Sequence, residues 1–80
     1  MTIHLINEEF NAKDTLDLLT KMIHLKIKFH EEKVLNKRNE KVIKSQEVKI
    51  QRLQKELFEL SASLNLKNKN YKIDGTIKIE

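Results

Sequence analysis

The stretch that decides the fold is residues 43–64, which read IKSQEVKIQRLQKELFELSASL. Apolar residues recur there at alternating steps of three and four, a spacing that keeps them along one edge of a helix. The series is Ile43, Ile50, Leu53, Leu57, Leu60 and Leu64, and only Gln46 interrupts it. Such an edge needs a partner helix to cover it, so the sequence predicts a helix seam, within the chain or between chains.

The size of the chain makes oligomerisation the expected source of stability. A domain of 80 residues buries only about 60% of the surface that its unfolded chain exposes. Small domains compensate with disulfides, metals or oligomerisation. Cysteine is absent, which excludes disulfides. His24 and His30 are not at the spacing near four that suits a zinc pair on a helix, so we expect no metal and no other cofactor.

The sequence before the seam predicts a first helix over about 13–36, capped by Asn11 or Asp14. Its apolar residues cover more than half of the circumference, whereas one partner requires a stripe of roughly 100°. They form one group of Leu16, Leu19, Ile23, Ile27 and Val34, and a second group of Leu18, Met22, Leu25 and Phe29. We expect contacts on two sides, one with the hairpin mate and one, through the second group, with another subunit. His30 is expected at an interface and His24 at the surface.

The apolar pattern stops between Asn36 and Asn39, which predicts a tight turn. Asparagine tolerates the left-handed conformation that ends helices, and it is also a good N-cap. A second helix over about 40–64 then matches the first in length, as in an antiparallel hairpin. The heptad phase nevertheless continues backwards to Phe29, so one helix of about 50 residues in a parallel coiled coil is the alternative. Polar residues at the intervening seam positions, Glu32 among them, argue against it.

Both ends of the chain predict short strands, over about 2–6 and 72–79, with a connector at 7–11 and a loop at 65–70. Asp74-Gly75 is a two-residue hairpin signal. Residues 71–80 nevertheless alternate completely, which favours one strand, kinked at Gly75. A helical hairpin brings the strands together, with Ile3 and Leu5 on the apolar side. The sequence therefore predicts one α+β, mostly α, domain of β-α-α-β order that dimerises into a four-helix bundle.

We find no catalytic constellation and expect a protein that is not an enzyme. The chain has no cysteine nucleophile, and its single glycine excludes a glycine-rich phosphate loop. The serines of the second helix have no histidine nearby in sequence. The carboxylates there are spaced to pair with cations one turn away, as in Arg52–Glu56 and Lys55–Glu59, which is typical of a solvated face.

The charge pattern permits one alternative function. The net charge is +4, and residues 41–80 hold nine Lys/Arg against five Asp/Glu. Such a basic half is compatible with a small dimeric regulator that binds DNA or RNA. The candidate nucleic-acid contacts are Lys37, Arg38, Lys41 and Lys44, at the helix junction.

The expected function is a non-catalytic protein–protein interaction or adaptor module that self-associates as a homodimer or higher homo-oligomer. An antitoxin- or inhibitor-like subunit of a hetero-complex is a further alternative, because the same apolar stripe would serve a different protein partner. The sequence begins without the basic and then apolar layout of a signal peptide, and no apolar run approaches the roughly 20 residues of a membrane span. We therefore expect a cytoplasmic protein that makes no membrane contact.

Overall fold

The computed structural model describes residues 1–36, 39–64 and 69–80. The elements are strand β1 (Thr2–Asn11), helix α1 (Ala12–Leu35), helix α2 (Glu40–Ser63) and strand β2 (Asn70–Lys78). The predicted β-α-α-β order and the helical hairpin are confirmed. The alternative of one continuous helix is wrong, because α1 and α2 are separate helices that pack against each other. Most of the predicted loop at 65–70 lies outside the described residues.

Asparagine side chains determine where the helices begin. Asn11 is the cap of α1, since its Oδ1 accepts a hydrogen bond of 2.7 Å from the backbone N–H of Asp14. Asn39 caps α2 in the same manner, accepting from the backbone N–H of Lys41 at 2.9 Å. Both side chains satisfy a backbone donor that the first helical turn leaves without a partner.

Asn36 ends α1 as predicted, but not in the left-handed conformation that we expected. Its φ and ψ are −96° and 0°. The physical reason is that the Asn36 backbone N–H still donates to the carbonyl of Glu32, at 3.3 Å. The chain therefore leaves the helix from a residue in the right-handed region.

Strand β1 continues to Asn11, so the prediction of a connector at 7–11 is wrong. The cause is tertiary, because β1 pairs antiparallel with β2 over its whole length. Phe10 lies opposite Tyr71 and Glu9 lies opposite Lys72. Aromatic and opposite-charge pairs of this kind stabilise a strand whose own residues have weak strand propensity.

An irregularity at Leu5 changes the alternation of β1. His4 pairs with Thr76 and Ile6 pairs with Gly75, so Leu5 is an extra residue that has no partner across the sheet. Such a bulge bends a strand and increases its twist. Ile3 lies opposite Ile77 and therefore shares the apolar side of β2 as predicted, whereas Leu5 is the bulged residue. Gly75 remains inside one strand, and the Asp-Gly hairpin does not form.

The molecule is a thin plate. Its Cα atoms span 48 × 32 × 13 Å, so its smallest dimension is only about one helix diameter. Helix α1 contacts α2 and both strands, and in the part of the chain that the structure describes α2 contacts neither strand. The buried apolar residues among those described are Ala12, Ile27 and Leu53. A plate of this thickness leaves much of its apolar surface in contact with solvent.

Candidate functional site

The seam predicted on α2 faces α1. All six of its apolar residues are buried or half-buried, and Leu53 is buried most deeply. Because α1 is the only described element that α2 contacts, this edge is covered within the chain. The first apolar group of α1 is shielded in the same way, with Ile27 buried and Leu16, Leu19, Ile23 and Val34 half-buried.

Two polar residues meet inside this seam. Gln46 and His30 are only 7% and 8% exposed, and 2.6 Å separates His30 Nδ1 from Gln46 Oε1. Since an amide oxygen only accepts, this contact places the ring proton on Nδ1. The predicted interface histidine therefore lies at the interface between the helices, whereas His24 is exposed. A polar pair in an apolar seam disfavours other registers of the hairpin, which would leave both groups without a partner.

The second apolar group of α1 borders an open groove, which we call the α1–sheet groove. It encloses about 620 Å³ between α1 and β1 and is lined by Leu5, Ile6, Glu8, Phe10, Leu18, Met22 and Leu25. Leu25 is 71% exposed and Phe29 is 52% exposed. Phe29 borders an adjoining concavity together with Met22 and Leu25, so the two concavities form one apolar surface. The structure thus brings together the four residues predicted for a subunit interface and adds β1 to them.

A second groove lies between the two helices, and we call it the basic groove. It encloses about 370 Å³ and is lined by Lys26, His30, Lys49, Arg52, Leu53 and Glu56. The ion pairs within 4.0 Å among the described residues are Lys21–Asp17 and the predicted Lys55–Glu59. The predicted Arg52–Glu56 pair does not form within that distance. Three cations, Lys26, Lys49 and Arg52, therefore border this groove without an ion pair within 4.0 Å in the part of the chain that the structure describes.

Sequence reasoning missed the basic groove because Lys26 and Lys49 lie on different helices and meet only through the register of the hairpin. A signal was present nevertheless. Lys26, Lys49 and Arg52 each directly precede an apolar residue that faces the seam. Each of these three positions therefore lies about 100° around the helix axis from its seam neighbour, in the same direction in all three cases. In an antiparallel pair of helices, that rotation places all three on the same face of the plate.

The structure describes only part of the basic cluster predicted to contact nucleic acid. Lys41 and Lys44 are exposed on the first turns of α2, and Lys37 and Arg38 lie outside the described residues. Lys69 lies near the other end of the chain, with its Nζ 5.3 Å from the centre of the Tyr71 ring.

Comparison with protein families, with curated proteins and with solved structures found no match to this chain. Among residues 1–36, 39–64 and 69–80, no three His, Cys, Asp or Glu side chains are grouped as metal ligands. No helix in these ranges is both long and apolar enough to cross a membrane.

Proposed function

We propose that this protein is a non-catalytic interaction module that self-associates, and that a second copy of the chain covers the α1–sheet groove. The observation that carries the proposal is an excess of exposed surface. The chain exposes 6809 Å², whereas a compact monomer of 9.5 kDa exposes about 5,000 Å². The excess is about 1,800 Å² per chain and about 3,600 Å² for two chains. This total falls within the 2,000–5,000 Å² that obligate homodimers bury.

The composition of the α1–sheet groove supports this use of the excess surface. Leu25 and Phe29 project from α1 as large exposed apolar side chains, and the groove beside them is lined mainly by apolar residues. A twofold axis brings the same surface of two copies together. The exposed Leu25 and Phe29 side chains of one copy can therefore fit into the adjacent groove of the other copy. Packing α1 against α1 of the partner also gives the four-helix arrangement that the sequence predicts.

Charges beside this surface agree with an antiparallel arrangement of the two α1 helices. Lys28 and Glu32 both border the concavity that contains Phe29, and they lie one turn apart on α1. Antiparallel packing centred between them sets Lys28 against the partner's Glu32, and the reciprocal pair forms by symmetry. Each pair lies at the rim, where it contributes to orientation more than to affinity.

The environment of Ser61 and Ser63 supports a non-catalytic role. Ser61 Oγ donates to the carbonyl of Leu57 at 3.0 Å, and Ser63 Oγ donates to the carbonyl of Glu59 at 2.6 Å. These hydroxyls are engaged by the backbone of their own helix. A nucleophilic serine instead needs a base within hydrogen-bond reach of its hydroxyl.

The test is the solution mass of the chain, measured by light scattering over a range of concentrations. We expect the wild type to have twice the 9.5 kDa chain mass. Leu25→Glu and Phe29→Glu each place a charge in the interface and should yield monomers. Val48→Glu is the matched control, because Val48 is 58% exposed on α2, away from the groove, and this variant should remain a dimer.

Three results would contradict the proposal. The first is a wild-type chain that is monomeric and melts cooperatively, which would mean that the exposed surface needs no cover. The second is a dimer that both groove variants leave intact, which would place the interface elsewhere. A monomer that is loosely folded would also reject self-association and would favour a different protein as the partner.

A further inference from the structure

We infer that the basic groove between α1 and α2 binds a small ligand that carries a phosphate group. This site shares Lys26 with the concavity that contains Phe29, and its other lining residues border neither that concavity nor the α1–sheet groove. The inference does not depend on self-association. The groove volume of about 370 Å³ is near the lower end of the 300–1,000 Å³ found for small-molecule sites.

The charges that border the groove match a phosphate dianion. Lys26, Lys49 and Arg52 provide three positive charges, and Glu56 provides one negative charge. The formal charges of these four side chains sum to +2, and a phosphate monoester carries about −1.5 to −2 at pH 7. None of these four side chains is in an ion pair within 4.0 Å among the described residues. An anion placed between the cations relieves their mutual repulsion.

The chemistry of the donors favours phosphate over a simple carboxylate. The Arg52 guanidinium presents a planar fork of N–H donors that matches two oxygens of a phosphate, and lysine ammonium groups bind the remaining oxygens as point charges. All three cations are on helices rather than on loops. Their Cα positions are therefore held by the packing of the hairpin before any ligand arrives, as in other preorganised sites.

His30 gives the groove a fixed polar neighbour. Its ring is held by the 2.6 Å contact between Nδ1 and Gln46 Oε1, which leaves Nε2 as the ring nitrogen with an unused lone pair. That nitrogen can accept a hydrogen bond from a hydroxyl group of the ligand. The same pair that links the two helices thus holds one wall of the proposed site.

The acidic residues further along α2 favour a small ligand over a nucleic acid. A polymer that follows α2 from Lys49 towards the end of the helix passes Glu56 and then Glu59. Glu59 is paired with Lys55 at 4.0 Å, so Glu56 is the carboxylate that repels the following phosphates of such a polymer. A single phosphate group bound between Lys26, Lys49 and Arg52 has only this one opposing charge in the groove. Nucleic-acid binding is accordingly the rival outcome in the experiment below.

Calorimetric titration tests the site, with pyrophosphate in one arm and a twelve-residue oligothymidylate in the other, at 50 mM and 200 mM salt. The variant is Lys49→Gln/Arg52→Gln. Its control, Lys44→Gln/Lys55→Gln, removes the same charge from the same helix outside the groove. We expect the groove variant to weaken pyrophosphate binding at least about tenfold, and the control by less than about twofold. Glu56→Gln should tighten binding, since it removes the one opposing charge.

Three results would overturn the inference. One is the absence of pyrophosphate binding to the wild type at 50 mM salt. Another is that the groove variant and its control weaken pyrophosphate binding equally, which would mean that binding depends only on the net charge of the protein. The last is binding of the oligonucleotide alone, with affinity falling by orders of magnitude between the two salt concentrations. The Leu25→Glu protein should bind pyrophosphate as the wild type does, so failure of the dimer leaves this result unaffected.

Discussion

The contact between His30 and Gln46 allows the closest test of how the hairpin is held together. Gln46→Leu removes the acceptor that lies 2.6 Å from His30 Nδ1, while the His30 ring remains 8% exposed. A buried donor left without a partner costs about 1–3 kcal/mol. In a domain of this size each kcal/mol lowers the melting temperature by about 4–8 °C. The single substitution should therefore reduce the melting temperature, although it makes the seam more apolar.

The second half of the test removes both polar groups. His30→Leu alone leaves the buried Gln46 amide without its partner and should also destabilise the protein. In His30→Leu/Gln46→Leu no polar group is left unsatisfied, and replacing both partners of a buried pair by apolar groups is often neutral or stabilising. We therefore expect the double variant to be more stable than either single variant, with a coupling energy of about 1–3 kcal/mol.

The assay is urea unfolding of the wild type and the three variants, followed by circular dichroism. All four proteins are measured at the same concentration, because the stability of an oligomer depends on it. The reasoning is refuted if Gln46→Leu is as stable as the wild type, or if the two single effects add up to that of the double variant. Either result would mean that the hydrogen bond contributes nothing to the seam.

The remaining predictions concern single residues in the same unfolding assay. Leu53→Ala should lower the free energy of unfolding by about 2–5 kcal/mol because it leaves a cavity between the helices. Phe58→Ala, at a residue that is 75% exposed, should change it by less than about 0.5 kcal/mol. Equal effects of the two substitutions would contradict the assignment of Leu53 to the helix seam. Asn39→Ala removes the side chain that caps α2 and should lower the free energy of unfolding by about 1 kcal/mol. Asn36→Ala should lower it much less, and a larger effect of Asn36→Ala would contradict the assignment of Asn39 as the cap. A methyl group at Gly75 meets no atom within 4 Å. Gly75→Ala should therefore be neutral or stabilise the protein by up to about 1 kcal/mol. A clear loss of stability would contradict this prediction and would show that the backbone at this position is strained by a side chain.

The helices could be predicted from the sequence because their signals are local. The heptad spacing on α2 and the capping asparagines act within a few residues, and they fix both helix starts to within one residue of the structure. The length of β1 could not be predicted in the same way. Glu9 has weak strand propensity by itself, and only its position opposite Lys72 explains its place in the sheet.

The same distinction applies to the candidate sites. The four residues of the second apolar group could be found on one helix, whereas the contribution of β1 to that groove depends on how the sheet lies beside α1. His30 and Gln46 were both recognisable as unusual polar residues of apolar faces. Their pairing depends on the register between the helices, which no local pattern specifies. The basic groove depends on that register as well.

The pairing of β1 with β2 has a consequence for how the chain is made. Nearly the whole sequence separates the two strands, so β1 is synthesised about 60 residues before its partner, or roughly 3–12 s at ribosomal rates. Both helices precede β2 in the sequence, so they are synthesised before β2 emerges. During this interval β1 exposes unpaired backbone groups along both edges, a state that favours strand exchange between neighbouring chains. The sheet is therefore the last element that can assemble as the chain is made, and its formation is the step at which we expect strand exchange between neighbouring chains.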